Sequence, residues 1–207
     1  MTEYTVRLKS TSPISFGAFI NSPRKQGETD REFEEAHWRE RCNVRGGDGP
    51  DKDNIIIPPF AFKNMLDSAA ARLSMRTGKG QKTFRTIFET GIRVMRGIVL
   101  PFTRETVKGE WRLVPSDGKP AAFSKGSRVP KCFPKVDEWE GDVVITVTDD
   151  RITAPVLKEH LLEGGQYIGL GSHRIEKRGI YGGFTVVSGP IKLEDAARLI
   201  SARCDST

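Results

Sequence analysis

The chain has 207 residues, with 33 Lys and Arg against 27 Asp and Glu, a formal net charge of +6 and a pI near 9.3. That length suits one domain, or one domain with large insertions, and the basic balance favours an anionic partner. Cys42, Cys132 and Cys204 form neither a zinc motif nor a disulfide framework, no apolar run is long enough for a membrane span, and Met1 is followed by polar residues, so the expectation is a reducing, cytoplasmic setting without a membrane partner.

Tyr4 to Ser10 alternates like a half-buried strand and stops at Ser12-Pro13, and Ile14 to Phe19 continues as a second extended piece. Residues 21–54 read as an inserted arm. Thr29 or Asp30 caps a helix running to about Arg41, with Phe33, His37 and Trp38 on its apolar side. The Gly46 to Asp51 turn cluster follows. A helix slung between two loops suits either contact with a neighbouring molecule or a solvated excursion. Ile55-Ile56-Ile57 is extended, and Pro59 opens a helix whose expected apolar face is Phe60, Phe62, Met65, Leu66, Ala69, Ala70 and Leu73.

Arg72, Arg76, Lys79, Lys82 and Arg85 then form a basic loop almost without acids. Ile92 to Leu100 reads as one strand and Trp111 to Val114 as a shorter one. Residues 104–138 read as an inserted basic excursion around that shorter strand, and between Ser116 and Lys135 the cations Lys125, Arg128 and Lys131 are interleaved with Phe123 and Phe133. Cations with spaced rings suit single-stranded nucleic acid, because bases stack on rings while amines meet phosphates. A loop whose phenylalanines tuck into the core is the competing reading. Gly141 to Thr148 is the clearest strand, Ala154 to Leu162 a short amphipathic helix with His160 on its surface, and Lys192 to Ala202 a C-terminal helix.

Between the last two elements lies the densest glycine stretch, Gly164 to Phe184, which carries seven glycines with Arg174, Lys177 and Arg178 among them. A glycine loop bearing cations is a cradle for a phosphate chain. Its order, helix then loop then strand, is the reverse of a dinucleotide-binding fingerprint. Without the insertions the elements run strand, helix, strand, strand, helix, strand: an α+β, ferredoxin-like βαββαβ core whose open sheet is a common RNA platform.

Ile57-Pro58-Pro59-Phe60-Ala61-Phe62-Lys63-Asn64-Met65-Leu66 resembles the segment that opens the first helix in the RAMP superfamily of CRISPR-associated proteins. The loop from Gly169 to Gly183 resembles the glycine-rich loop of the same superfamily. The arm after the first strand and the excursion between the middle strands resemble the Cas seven family backbone subunit. Pro59, Phe60 and Phe62 depart from the small residues that follow the proline in the family motif.

The resemblance implies a subunit that holds guide RNA by its backbone and stacks with its own copies into a helical filament. A thumb-like hairpin within 104–138 would prop bases apart, and complementary target nucleic acid and other effector subunits complete the partners. Lys63 matches the lysine of the helix motif, and Arg174, Lys177 and Arg178 match basic positions of the loop. With Gly169, Gly171 and His173 and the basic residues named above, these are the candidate RNA contacts.

No cofactor or metal is expected. Asp30, Asp48, Asp51 and Asp53 stand in no pattern that carries over a catalytic role, and His37 beside Trp38 reads as a packed or solvated histidine. A binding subunit is therefore expected. A RAMP endoribonuclease and a stand-alone single-strand-binding protein of phage or plasmid origin remain the alternatives.

Overall fold

The computed structural model describes residues 1–78, 80, 82–116 and 126–195. In chain order the strands and helices begin with β1 (Thr2–Ser10), β2 (Ile14–Ser15), α1 (Asp30–His37), β3 (Asn54–Ile57) and α2 (Pro59–Leu73). They continue with α3 (Phe84–Gly91), β4 (Ile92–Arg96), β5 (Ile98–Thr103) and β6 (Lys108–Pro115), then β7 (Arg128–Val136), β8 (Glu140–Val147), α4 (Ala154–Glu163) and β9 (Phe184–Lys192).

A four-stranded sheet has the order β4-β8-β1-β9, and every neighbouring pair is antiparallel. With α2 between β1 and β4, and α4 between β8 and β9, this is the expected ferredoxin-like core. Alternation in β1 puts Tyr4, Val6 and Leu8 into the core, and β8 adds Val143 and Ile145. Phe62, Met65, Leu66, Ala69 and Ala70 of α2 and Leu157 and Leu161 of α4 belong to the same cluster. Burying side chains of this size contributes about 1.5–3 kcal/mol each.

The opposite face of the sheet is open. There Arg7 is held by Glu140 at 2.6 Å and Asp142 at 3.2 Å, and the two aromatic residues of the sheet, Tyr4 and Phe184, are both turned to the core. The open face therefore offers no ring for a base, and its Arg7 is already paired, unlike the aromatic RNA platform that the topology alone suggests.

Several elements differ from the sequence reading. The stretch 92–100 is two strands. Gly97 lies against β3 so closely that a β-carbon would overlap the Ile57 carbonyl oxygen, and the chain turns there to pair β5 with β3. The basic loop ends in an unexpected helix, α3, which buries Phe84, Ile87 and Phe88 at helical spacing and carries Arg85. The preponderance of basic residues just upstream masked that period. Of the extended piece after Pro13, only Ile14–Ser15 is strand. The second half of the basic excursion is β7, paired with β6 along its whole length. Phe133 is buried in it, as the competing reading held, while Phe123 and Lys125 lie outside the described residues. Of the C-terminal helix, Lys192 closes β9, and residues 196–202 lie outside the described residues.

The arm is anchored. Thr29 caps α1 in a reciprocal box with Glu32, and α1 passes into a 3-10 turn, Trp38–Arg41, that packs on β7. Trp38 is buried over the hairpin, where a β-carbon on Gly109 would crowd both its ring and the Cys132 sulfur. Glu34, buried, accepts hydrogen bonds from the Arg41 guanidinium and from the Cys132 backbone N–H. The arm, which the sequence left open between a contact for a neighbouring molecule and a solvated excursion, is thus joined to the core cluster through Trp38 and Cys42.

Candidate nucleic-acid interface

The start of α2 and the glycine loop are about one hundred residues apart in sequence, and the fold closes one groove between them. The groove measures about 220 Å3 and is lined by Ile14, Phe16 and Gly17, by Pro58, Phe60, Ala61 and Asn64 of the α2 entrance, and by Gly169 to Ser172 with Arg174. Pro58 stands before α2 in extended conformation and gives it no side-chain cap, and Pro59 occupies the first turn. Phe60, expected on the packed apolar face of α2, is instead 61 % exposed at the groove, one ridge away from the buried Phe62, Met65 and Leu66.

Beyond α4 the helix loosens into a π-helical turn, Gly164–Ile168, closed by the Gly169 N–H on the Gly164 carbonyl at 2.8 Å. The loop then folds back on itself. Leu170 N–H donates to Gly182 O, Ser172 N–H to Ser15 O, and Gly182 N–H to Pro13 O. Gly171 and Gly182 take positive φ (+75° and +78°), and a β-carbon would overlap Ser15 O at the first and Leu170 O at the second. The amides of Gly169, Lys177, Arg178 and Gly179 are also bonded within the protein. The glycines make a tight seam, so what the loop presents outward is chiefly side chains.

The β6–β7 hairpin braces the other flank of the loop. Tyr181 donates its hydroxyl to Glu110 at 2.6 Å, and Arg112 both pairs with Glu110 at 2.9 Å and lies over the Tyr181 ring at 4.6 Å. The Tyr181 hydrogen bond, aided by Arg112 and Lys135, holds the Glu110 carboxyl below the usual range. His173 meets Phe133 edge-on at 4.6 Å. Burial, with Arg112 nearby, lowers its pKa, and its Nδ1 has no hydrogen-bond partner.

The candidate cations fall into two groups. Lys63 is tied to Asp67 at 2.5 Å, Arg72 to Glu163 at 2.7 Å, Arg85 to Glu89 at 3.3 Å and Arg174 to Glu176 at 2.8 Å. Arg76, Lys82, Arg128, Lys131, Lys177 and Arg178 make no ion pair among the described residues; Lys79 and Lys125 lie outside them. Lys177 and Arg178 are exposed in the glycine loop, just past the groove-lining Arg174, whereas Arg128 and Lys131 sit on the hairpin. Arg76 and Lys82 lie past the far end of α2, where Arg76 and Thr83 form an isolated β-bridge.

The structure places the histidines clearly. His160 is fully buried, stacked on Phe88 at 4.1 Å with Nδ1 2.7 Å from the Val156 carbonyl, which corrects its reading as helix surface. The unrecognised α3 covers that face of α4. His37 pairs with Glu40 at 2.9 Å, and Glu40 also accepts from the Ser22 hydroxyl and from the Asn21 and Ser22 amides. That hub fixes the turn into the arm. Asp30 and Asp51 are paired with Arg24 and Arg45. Among the described residues no group of three or more His, Cys, Asp or Glu is placed to hold a metal ion, and no helix is long and apolar enough to cross a membrane.

No protein-family model matches the sequence, and no curated protein matches it. Among solved structures, the chain is similar to one in a Type III-B Cmr-beta assembly bound to cognate target RNA, at 10% identity and TM-score 0.46, over 90% of this chain and 59% of that one. It is similar to Cmr6 from Pyrococcus furiosus at 12% identity and TM-score 0.46, over 90% of this chain and 98% of that one. A Cas6 point mutant is similar at 16% identity and TM-score 0.28, over 91% of this chain and 54% of that one. The chain thus spans just under three fifths of the first of these and nearly all of the second.

Proposed function

We propose that the protein is a guide-RNA-binding subunit of a CRISPR effector ribonucleoprotein, holding single-stranded RNA by its backbone without reading sequence. The observation that carries this reading is the convergence of the two motif-like segments on one groove lined by Arg174, with Lys177 and Arg178 exposed further along the same loop. The finer role, a backbone subunit that polymerises along the guide with the β6–β7 hairpin as its thumb, follows from the resemblance. Target nucleic acid, further effector subunits and a cytoplasmic setting belong to the same reading.

Replacing Arg174, Lys177 and Arg178 with Ala tests it. Each lost phosphate contact flattens the dependence of log affinity on log salt by about 0.7. The control is Arg93→Ala with Arg151→Ala, neither of which lines the groove, and it leaves affinity and slope unchanged. Equal losses in both variants would mean that only net charge matters. An unaltered slope in the triple variant would remove the loop from the interface. RNA of one uniform length carried through purification supports a guide complex, whereas mixed DNA supports a stand-alone single-strand-binding protein.

A further inference from the structure

Among the described residues four rings are strongly exposed: Phe19 at 82%, Phe60 at 61%, Trp111 at 44% and Tyr167 at 40%. Trp111 lies on the hairpin under the Arg31 guanidinium, 5.8 Å away. Phe60 and Tyr167 share a different setting. Phe60, Asn64, Ser68 and Arg72 recur at every fourth residue and form one ridge of α2. The glycine loop and the turn before it follow this ridge. Arg174 lines the groove with Phe60 and Asn64, Ser68 faces Glu176 and helps lower its pKa, and Arg72 binds Glu163 while its guanidinium lies 4.4 Å over the Tyr167 ring.

The ridge therefore has a ring at each end and polar groups between, with Lys177 and Arg178 exposed alongside. From Phe60 to Arg72 is twelve residues, about 18 Å of helix. An apolar ring left in water at the lip of a groove is costly unless something covers it, and an arginine laid over a tyrosine is a ready π-surface for a base.

We propose that Phe60 and the Tyr167–Arg72 pair are two nucleobase-stacking platforms at the ends of this strip. A single-stranded RNA segment then lies along α2 with its phosphates toward the loop cations and one base on each platform. The proposal rests on the RNA-binding reading and adds to it that the bases, as well as the backbone, are held. Stacking on a ring is indifferent to base identity, so it agrees with binding that reads no sequence.

The probes are a fluorescein-labelled uridine oligomer and an abasic ribose-phosphate oligomer of equal length, with anisotropy measured at several salt concentrations. The native protein is expected to bind the uridine oligomer more tightly than the abasic one. Phe60→Ala and Tyr167→Ala each lower affinity for uridine RNA roughly 5- to 150-fold, the range for losing one stacked base. Neither changes affinity for the abasic chain, and the salt slope stays the same, because no phosphate contact is lost. Phe60→Tyr and Tyr167→Phe retain binding. Both positions are exposed, so thermal unfolding of the alanine variants stays close to native.

Equal binding of both probes by the native protein overturns the proposal while leaving the backbone-binding reading in place. So do alanine variants that discriminate the probes as well as the native chain does. A Phe60→Ala variant that changes native mass but not base discrimination makes Phe60 a protein contact and overturns its platform. Failure of the native protein to bind either probe overturns the functional reading and this proposal together.

Discussion

His160 is the residue at which burial speaks most directly. It is fully enclosed between α3 and α4, its Nδ1 faces the Val156 carbonyl, and its Nε2 has no partner. Burial lowers its pKa below the ordinary value near 6.5, against the smaller opposing effects of Val156, Glu159 and Glu163. The folded chain holds the ring neutral while the unfolded chain protonates it. Its contribution is complete above about pH 6.5 and is lost as pH falls through that value toward the depressed folded pKa. His173 titrates in the same direction. Urea unfolding of His160→Phe between pH 7.5 and 5 is expected to show a shallower loss of stability than the native chain, by up to about 1.4 kcal/mol per pH unit. An identical acid limb in both proteins would mean that His160 is protonated without cost. The sequence showed a histidine on an amphipathic helix but not the helix that covers it.

At the scale of elements, the glycine seam decides the geometry. Gly182 has φ of +78° and its added β-carbon would overlap the Leu170 carbonyl oxygen. Gly182→Ala combines left-handed strain with a backbone clash and is expected to cost about 2 kcal/mol or more. Gly46, whose φ is not positive and whose surroundings are empty, is the control, and Gly46→Ala stays within about 0.5 kcal/mol. Chemical denaturation of the two variants checks this, and equal stability would mean that the seam accommodates a side chain. Glycine content and order were legible in sequence as a tight loop after a helix. That the loop's amides bond to its own strands and to Pro13 and Ser15 was not, because those partners come from the far end of the chain. In the same way, Phe84, Ile87 and Phe88 held a helical period that the neighbouring basic residues obscured.

For the whole molecule, the arm tests how insertions join a core. The sequence places residues 21–54 outside the minimal sheet-and-helix order, which would make them dispensable. The structure seats Trp38 and Cys42 in the core cluster and Glu34 under the hairpin. Replacing residues 21–45 with a short Gly-Ser linker is expected to lower Tm by roughly 6–20 °C or to make the chain insoluble. Loss of a buried Trp alone costs about 3–5 kcal/mol, and each kcal/mol moves Tm by about 2–4 °C at this size. A soluble variant with native Tm would restore the arm to the status of an appendage. Trp38→Ala is expected by calorimetry to reproduce most of that loss.

The sequence by itself determined the order of the core elements, because alternation in β1 and β8 and the helical period of α2 and α4 are local patterns that survive without knowledge of neighbours. It also determined the two segments that meet at the groove and the cations near them. Only the tertiary structure decided which of those cations are already paired with carboxylates, that the open sheet face carries no aromatic ring, that Gly97 divides one apolar run into two strands, and that Phe60 and Tyr167 stand exposed along a single ridge. Each of these is set by atoms brought together from distant parts of the chain, and a pattern read over neighbouring residues carries no record of such contacts.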